Sequence, residues 1–309
     1  MLKPITKYFD DRAAWLANRR NYLGASEVPC LFGHGYNTYF QLWHEKSGLI
    51  DPENLDDVLP VIVGDCMEAG FADVIRKTTD YTLRKTHRYL IHGDEKLRLG
   101  ASLDYEIQTE DDGWVPAELK ILDYPAFADK WEETEVTGEY DPPLIYALQL
   151  QTQLLITGKP YGYLFALVGN KQVIENRMEA DPEVQGLIIK LVAEFWDSIE
   201  KQNAPAPDYD NDLAIMFRVM TNVDAGLELH VHGDVFFEQG MINYRLAADR
   251  EKAAKEMKGH LRAAILDRLG PAIRAKCNNG TISAKVNERW NPPRRELRIT
   301  PKKGITHNG

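Results

Sequence analysis

Two carboxylates and a lysine occur close together in a segment with the pattern of a β-hairpin. Asp104 lies in the β-rich run 102–107, and Glu118 and Lys120 lie in the apolar run 114–121. The polar turn between the two runs contains glycine, which predicts a hairpin. Because alternate strand residues point to the same face, Glu118 and Lys120 share one face, and Asp104 on the partner strand can lie beside them.

These residue types suit metal-dependent phosphodiester hydrolysis. Carboxylate oxygens are hard ligands that hold Mg²⁺, and the bound metal lowers the pKa of a water molecule. A lysine nearby can orient that water or offset the charge that develops during attack. Taken alone, however, a Glu-x-Lys pair on an exposed strand is more often a solvated charge pair across the sheet. The hydrolytic interpretation therefore needs support from the rest of the chain.

Charge is distributed unevenly along the 309 residues, a length sufficient for one large domain or a domain with an appendage. The net charge of −10 argues mildly against a nucleic-acid binder, but from residue 241 onward 16 Lys and Arg residues face only 6 Asp and Glu. The acidic part suits a metal site, and the basic part could contact phosphate or an acidic partner. An equally weighted alternative is that these charges only form a solvated surface.

The chain has the features of a cytoplasmic protein. No window approaches the roughly 20 uninterrupted apolar residues of a membrane span, and the N-terminal segment has no apolar core of the signal-peptide type. Cys30, Cys66 and Cys277 are widely spaced and fit neither a disulfide framework nor a four-cysteine cluster. We therefore expect a reducing compartment and no membrane association.

The order of elements predicts the fold class. A helix precedes three or four antiparallel strands, and a helix, two strands and a further helix follow, which predicts an α/β (α+β) fold with a central mixed β-sheet flanked by helices. The Pro-rich stretch 204–210 predicts a boundary between a core, residues 1–203, and a basic accessory region, residues 204–309. The accessory region is predicted to contain helices and a closing β-hairpin, 281–286 and 295–300.

Local patterns give further expectations. Ser26 and Thr38 are predicted N-caps of two short helices, and residues 134–141 are predicted to form a loop. Candidates for burial on a helix over 55–77 are Val58, Ile62, Met67, Ala69 and Phe71. Four tryptophans are predicted to be packing residues, although any of them could stack on a base: Trp15, Trp43, Trp131 and Trp196.

Several short motifs occur in an order that is more specific than any one of them. They are Gly64-x-x-x-Glu68, Ser102-Leu103-Asp104, Glu118-Leu119-Lys120 and Tyr146-x-x-Gln149-x-Gln151. Together they resemble the ordered motifs of the PD-(D/E)XK nuclease superfamily. With the N-terminal segment 15–27, they resemble more narrowly the YqaJ-type viral recombinase family, which includes phage lambda exonuclease. The resemblance covers roughly residues 9–199, and Leu103 stands where the superfamily's name has proline.

The resemblance implies roles for the residues of the hairpin and its neighbours. Asp104 and Glu118 would be the principal metal ligands, the Leu119 carbonyl a further ligand, and Glu68 would reach the metal directly or through water. Lys120 would position the attacking water and stabilise the transition state. The helical glutamine that borders such an active site corresponds to Gln149.

A second group of residues would bind the DNA end. Arg19 and Ser26 match the family's pocket for a 5′-terminal phosphate, which a guanidinium fork and a hydroxyl suit. Ser102 and Gln151 are assigned to the same DNA-binding group. Arg20 is an alternative to its neighbour Arg19.

The resemblance implies a Mg²⁺-dependent 5′-to-3′ exonuclease of phage or prophage recombination, in which Mn²⁺ can substitute. It would act on double-stranded DNA ends in the bacterial cytoplasm and leave 3′ single strands for a phage single-strand annealing protein. A homo-oligomer, with a trimeric ring as the leading form, is implied. The four-cysteine iron–sulfur branch of the family does not apply, because the chain has three cysteines. Two alternatives stay open: a structure-specific endonuclease or nickase on the same fold, and a catalytically silent DNA-binding module.

Overall fold

A computed structural model describes residues 2–133 and 140–302 of the protein. The chain divides into two compact units, residues 1–223 and 224–309. The Pro-rich stretch 204–210, where the sequence predicts a boundary, lies within the first unit. The loop expected at 134–141 lies mostly outside the described residues, apart from its last two.

The first unit contains seven of the described helices and two larger sheets. Its helices are α1 Arg12–Arg19, α2 Tyr39–Lys46, α3 Leu59–Thr78, α4 Tyr124–Lys130, α5 Leu144–Thr157, α6 Pro182–Glu200 and α7 Leu213–Val219. Its strands are β1 Ile5–Lys7, β2 Leu23–Gly24, β3 Thr82–Lys85, β4 Tyr89–Ile91, β5 Leu99–Ser102, β6 Tyr105–Thr109, β7 Gly113–Leu122, β8 Glu132–Glu133, β9 Tyr140–Asp141, β10 Tyr161–Val168 and β11 Gln172–Glu179.

The hairpin predicted from the sequence lies in the five-stranded sheet. Its strands β6 and β7 pair antiparallel, with Thr109 opposite Gly113, and Gly113 has a positive φ of 66° that the tight turn requires. The strand order is β11-β10-β7-β6-β3, and β7 pairs parallel with β10 while the other pairs are antiparallel. The sheet is therefore mixed, as predicted.

A second sheet brings the N-terminal segment to the hairpin. Four strands are arranged in the order β1-β4-β5-β2, with β2 and β5 parallel. The strands β5 and β6 are consecutive, and Leu103 and Asp104 connect them. The predicted fold class, mixed β-structure flanked by helices, is confirmed, although the strands form two larger sheets in place of one.

Helix α5 is the central helix of the first unit. Its apolar side chains are buried on several sides, against β10 and β7 and against β5 and α6. Three glutamines, Gln149, Gln151 and Gln153, are buried among them. Buried amides need hydrogen-bond partners, so the position of α5 depends on what these side chains contact. Gly158 ends the helix as its C-cap with a φ of 69°, a conformation that favours glycine.

The predicted burial of α3 is wrong over most of its length. Phe71 is 1% exposed, but Ile62 and Met67 are 40% and 42% exposed, and Val58 and Ala69 are also exposed. Only the C-terminal part of the helix, around Phe71 and Ile75, joins the apolar cluster with β3, β6 and β7. An apolar stretch in sequence predicted burial, whereas the helix extends beyond the elements that could cover it.

Of the two predicted helix caps, Thr38 is confirmed and Ser26 is wrong. The Thr38 hydroxyl accepts a hydrogen bond from the Gln41 N–H at 3.0 Å, as predicted. Ser26 is not a cap, because the following 3₁₀ helix begins at Val28 with Glu27 at the N-cap position. Trp43, Trp131 and Trp196 are buried packing residues, whereas Trp15 is only half-buried.

The second unit contains a long helix followed by a small sheet. Helix α8 spans Val235–Leu269, and the strands are β12 Arg274–Cys277, β13 Gly280–Asn287 and β14 Arg294–Pro301. The predicted closing hairpin corresponds to β13 and β14, and β12 was not predicted. In the described parts of both units, no helix combines the length and the apolar character needed to cross a membrane.

Candidate active site

Glu118 is buried at the centre of the first unit, where β7 faces α5. Its side chain is 2% exposed. One carboxylate oxygen accepts hydrogen bonds from Lys120 Nζ at 2.6 Å and Gln149 Nε2 at 2.5 Å, and the other accepts from Gln153 Nε2 at 2.6 Å. A charged group is stable in such a position only when its oxygens are paired. The alternative of a solvated surface pair is therefore wrong for Glu118 and Lys120.

Asp104 lies beside Glu118 because β6 begins one residue after it. The Leu119 N–H donates to Asp104 Oδ2 at 2.9 Å, beyond the point where Tyr105 and Ala117 are paired. In an antiparallel pair, the N–H and C=O of one residue point the same way, so the Leu119 carbonyl faces the same edge. Burial and the neighbouring Glu118 carboxylate raise the pKa of Asp104 well above its ordinary value.

Lys120 is held as a cation within this cluster. Burial alone would lower its pKa, but the carboxylates of Glu118 and Asp104 raise the pKa above the ordinary lysine value. Its ammonium also donates to Gln149 Oε1 at 3.1 Å and lies 5.0 Å from the centre of the Tyr146 ring. A lysine with a raised pKa is protonated at neutral pH, so it can donate hydrogen bonds but cannot act as a general base.

Glu68 approaches the cluster from α3. Its carboxylate accepts a hydrogen bond from Lys85 Nζ at 2.8 Å, and its charge contributes to the raised pKa of Asp104. The side chain is 22% exposed. Glu68 is therefore near Asp104 but is held by a lysine on β3.

A cavity of about 160 Å³ connects Asp104 and Gln149 with the predicted phosphate-binding residues. Arg19, Ser26 and Ser102 line it, as does Trp15. The Trp15 indole N–H donates to the Ser102 hydroxyl at 3.1 Å. An arginine, two serines and the Asp104 carboxylate therefore line the same cavity.

Arg19 is oriented by Trp15 on its own helix and by Glu27. Its guanidinium lies 5.0 Å from the centre of the Trp15 ring, and it donates to Glu27 Oε1 at 3.3 Å. Glu27 also pairs with Lys46 Nζ at 2.7 Å and accepts from the Gly24 N–H at 2.7 Å. Burial would raise the pKa of Glu27, but the charges of Lys46 and Arg19 lower the pKa below its ordinary value. The phosphate-binding candidate therefore depends on a buried ion pair behind it.

Replacing Glu27 with glutamine should lower the free energy of unfolding by about 2–3 kcal/mol at pH 7, because Lys46 then stays buried without its carboxylate. Since the pKa of Glu27 is lowered on folding, its contribution is complete above the ordinary value of 4.5 and is lost as the pH falls through the lowered value. Urea denaturation at pH 7 and at about pH 3 measures both effects. The difference from wild type should shrink at the lower pH. Glu53→Gln, at an exposed position, is the matched control, and an equal change in both variants would contradict the prediction.

Two predicted DNA-binding residues lie away from the cavity. The Arg20 guanidinium donates to Asp51 Oδ1 at 2.8 Å and is more than half exposed. Gln151 is buried, and its amide group donates to the Glu179 carbonyl at 2.6 Å and accepts from the Asp181 N–H at 2.9 Å. Of the two neighbouring arginines, the structure brings Arg19 to the cavity.

Three further residues contact the site without having been predicted to do so. Trp15 was expected to be a packing residue, and Gln153 was not singled out, although it follows Gln149 by one helical turn. Tyr89 lines the cavity, and its buried hydroxyl has no hydrogen-bond partner among the described residues. Gly100 must be a glycine here, because a Cβ atom would lie 2.4 Å from that hydroxyl oxygen.

The donor set fits a hard divalent cation. Asp104, Glu118 and the Leu119 carbonyl offer oxygen only. Burial and the neighbouring Glu118 charge both raise the pKa of Asp104, and an added cation would offset that negative charge. Within the described residues, no three His, Cys, Asp or Glu side chains form a ready-made metal cluster. Mg²⁺ commonly binds through one or two carboxylates and keeps waters for the remaining positions, which is compatible with this arrangement.

The mixed sheet presents Asp104 beside the Glu118-Leu119-Lys120 motif, the arrangement that the resemblance to PD-(D/E)XK nucleases implies. Residues 14–160 match the family model described as the YqaJ-like viral recombinase domain, so the resemblance predicted from the motifs is confirmed.

Individual proteins are similar to part of this chain in sequence or in structure. The "Uncharacterized protein YqaJ" of Bacillus subtilis (strain 168) is 28% identical over 202 residues, which cover 64% of this chain and 59% of that protein. The crystal structure of an alkaline exonuclease (LHK-Exo) from Laribacter hongkongensis is similar with a TM-score of 0.47 and 22% identity, over 61% of this chain and 92% of that one. Its complex with dAMP gives a TM-score of 0.45 with the same identity and coverage.

Proposed function

We propose that the protein is a metal-dependent deoxyribonuclease that degrades duplex DNA from a 5′ end. The observation that carries this proposal is the cavity that Arg19, Ser26 and Ser102 line together with Asp104 and Gln149. A guanidinium and hydroxyls suit a terminal phosphate, and the adjoining carboxylate–lysine cluster suits hydrolysis of a phosphodiester next to it. The similarity of residues 14–160 to the YqaJ-like viral recombinase domain supports the same choice.

Each residue of the candidate site has a proposed role in hydrolysis. Asp104, Glu118 and the Leu119 carbonyl would hold the cation, with Glu68 at its edge, and Mg²⁺ is the proposed ion, with Mn²⁺ as a substitute. When bound, such a cation lowers the pKa of a coordinated water and offsets charge on the phosphate.

Lys120 would donate hydrogen bonds to the attacking water or to a non-bridging phosphate oxygen, while Gln149 and Glu118 hold its ammonium in place. Gln153 would fix the second oxygen of Glu118. Positioning of this kind acts in the transition state because the donors need no reorganisation. In the cavity, Arg19, Ser26 and Ser102 would bind the terminal phosphate and set the distance from the end to the bond that is cut.

The biological setting proposed is phage or prophage recombination in the bacterial cytoplasm, where the 3′ single strand would pass to a single-strand annealing protein. A homo-oligomer, with a trimeric ring as the leading form, would keep the enzyme on its substrate. The exposed apolar side chains of α3 support a subunit contact, among them Leu59, Ile62 and Met67, because such patches commonly mark interfaces.

Digestion of duplex DNA labelled at either end tests the proposed function. With Mg²⁺, a linear 5′-phosphorylated duplex should release the 5′ label as the first nucleotide, whereas a covalently closed circle should stay intact. Loss of the circle at the same rate would favour an endonuclease, and release from the 3′ end first would overturn the polarity. An absence of hydrolysis with Mg²⁺ or Mn²⁺ would favour the silent DNA-binding module.

A further inference from the structure

The small sheet of the second unit has two chemically different faces. Pairing places Ala275 opposite Ile282 and Ile282 opposite Ile299, while Ala284 lies opposite Leu297. This inner face lies at the C-terminal part of α8, where Leu261, Ile265 and Leu269 line a cleft together with Ala275 and Ile282. Because alternate residues point to opposite faces, the remaining residues of the three strands form an outer face.

The outer face is basic and exposed. Along β14, positions 294, 296, 298 and 300 are exposed, whereas the alternate positions 295, 297 and 299 are partly buried. The basic residues of the outer face, all exposed, are Arg274, Lys276, Lys285, Arg294 and Arg298. In the described part of the chain, none of these five takes part in an ion pair, in contrast to Arg84 and Arg88 of the first unit, which both pair with Glu106.

One carboxylate lies on the outer face, at the end near the β13–β14 connection. Glu296 accepts hydrogen bonds from Asn287 Nδ2 at 2.9 Å and Trp290 Nε1 at 3.0 Å. The Arg294 guanidinium stacks 3.3 Å from the centre of the Trp290 ring. The part of the face farther from this connection is made only of cationic and hydroxyl side chains.

Two neighbouring rows across the sheet consist of cationic and hydroxyl side chains. Arg274 lies opposite Ser283, and Ser283 lies opposite Arg298; Lys276, Thr281 and Thr300 form the next row. With strands about 4.8 Å apart, cations on the outer strands of a row are separated by about 10 Å. Guanidinium, ammonium and hydroxyl groups are the donors that contact phosphate oxygens of DNA. Away from Trp290, the described strands place no large apolar side chain on the outer face, whereas protein–protein interfaces usually have apolar anchors at their centre.

We propose that this outer face binds the phosphate backbone of DNA, without sequence preference, at a place separate from the catalytic cavity. The choice of DNA as the polyanion rests on the proposed function, because a nuclease that stays on its substrate needs contacts outside the cleavage site. Such contacts are electrostatic, so their number can be read from the salt dependence of binding.

The test is equilibrium binding of the full-length protein to a fluorescent duplex closed by a loop at both ends, in EDTA, over a range of NaCl concentrations. A closed duplex has no 5′ phosphate and EDTA prevents hydrolysis, so the result is independent of whether the nuclease proposal holds. The variant carries Lys276→Gln, Lys285→Gln and Arg298→Gln. The matched control carries Lys252→Gln, Lys255→Gln and Lys258→Gln on α8, all exposed, with the same change in charge.

The outer-face variant should bind at least about tenfold more weakly near 0.1 M NaCl, and the slope of log K against log salt should fall by about 2–3, since each phosphate contact contributes about 0.9. The control should change the slope by less than about 1. An equal loss in both variants would overturn the proposal, because net charge alone would then govern binding. Unchanged DNA affinity combined with lost binding to polyglutamate would assign the face to an acidic protein and overturn it as well.

Discussion

Asp104→Asn should reduce the rate of duplex digestion by about 10³-fold, because a metal ligand contributes several kcal/mol of transition-state stabilisation and each 1.4 kcal/mol is tenfold in rate. The same substitution should leave the metal-free protein equally stable or more stable. Burial and Glu118 raise the pKa of Asp104, which means that its negative charge is unfavourable in the folded state at neutral pH. An amide oxygen can still accept the Leu119 N–H. One substitution should therefore lower the rate of digestion without lowering the stability of the metal-free protein.

Initial rates at saturating Mg²⁺ and urea midpoints in EDTA measure these two effects. Asp51→Asn is the matched control, since Asp51 is an exposed carboxylate that pairs with Arg20. A variant at Asp104 that keeps its rate within threefold of wild type would remove this residue from the hydrolytic centre. A variant that loses both rate and stability would indicate a structural carboxylate.

Arg19→Ala should slow digestion from a 5′-phosphorylated end by about 10²-fold, because a charged hydrogen bond to the phosphate contributes up to about 3 kcal/mol. The preference for a 5′ phosphate over a 5′ hydroxyl should disappear in this variant. The protein should stay folded, since Glu27 keeps its pairing with Lys46 at 2.7 Å. Initial rates on the two kinds of end measure both expectations.

Arg20→Ala provides the comparison, because Arg20 is the adjacent residue and pairs with Asp51 outside the cavity. Its rate should stay within about threefold of wild type, as expected for the loss of an exposed ion pair. Equal loss of rate in both arginine variants would contradict the assignment of the cavity to the terminal phosphate. Retention of the 5′-phosphate preference by Arg19→Ala would contradict it too.

The sequence was sufficient for features that depend on local pattern. The β6–β7 hairpin follows from two apolar runs around a glycine turn, and α5 follows from its apolar spacing and its terminal Gly158. The proximity of Asp104, Glu118 and Lys120 follows from strand alternation across that hairpin. Each of these predictions uses contacts between residues that are close in the chain or paired by one turn.

Features that depend on which distant elements meet were not predictable in this way. The bond from Gln153 to Glu118 spans 35 positions, and a polar residue on α5 carries no mark that distinguishes this role from exposure. Trp15 has the composition of a packing residue, yet its indole N–H donates to Ser102, 87 positions away. The apolar face of α3 predicted burial of the whole helix. That prediction failed at the N-terminal part because the sequence does not show how far the sheet extends beneath the helix.

Helix α1, which carries Arg19, has no buried residue. Its contacts with the rest of the unit are largely polar; among them are the Trp15–Ser102 hydrogen bond and Lys46, whose ammonium donates to the carbonyls of Arg19 and Tyr22 at 2.8 Å each. Segments with few buried apolar contacts open by local unfolding at a free energy far below that of the whole domain. Amide hydrogens of α1 should therefore exchange with solvent long before those of α5. On the proposed function, Arg19 would bind the DNA end from a helix that should open locally, while Glu118 and Gln149 lie in the buried part of the unit, which should open only at a higher free energy.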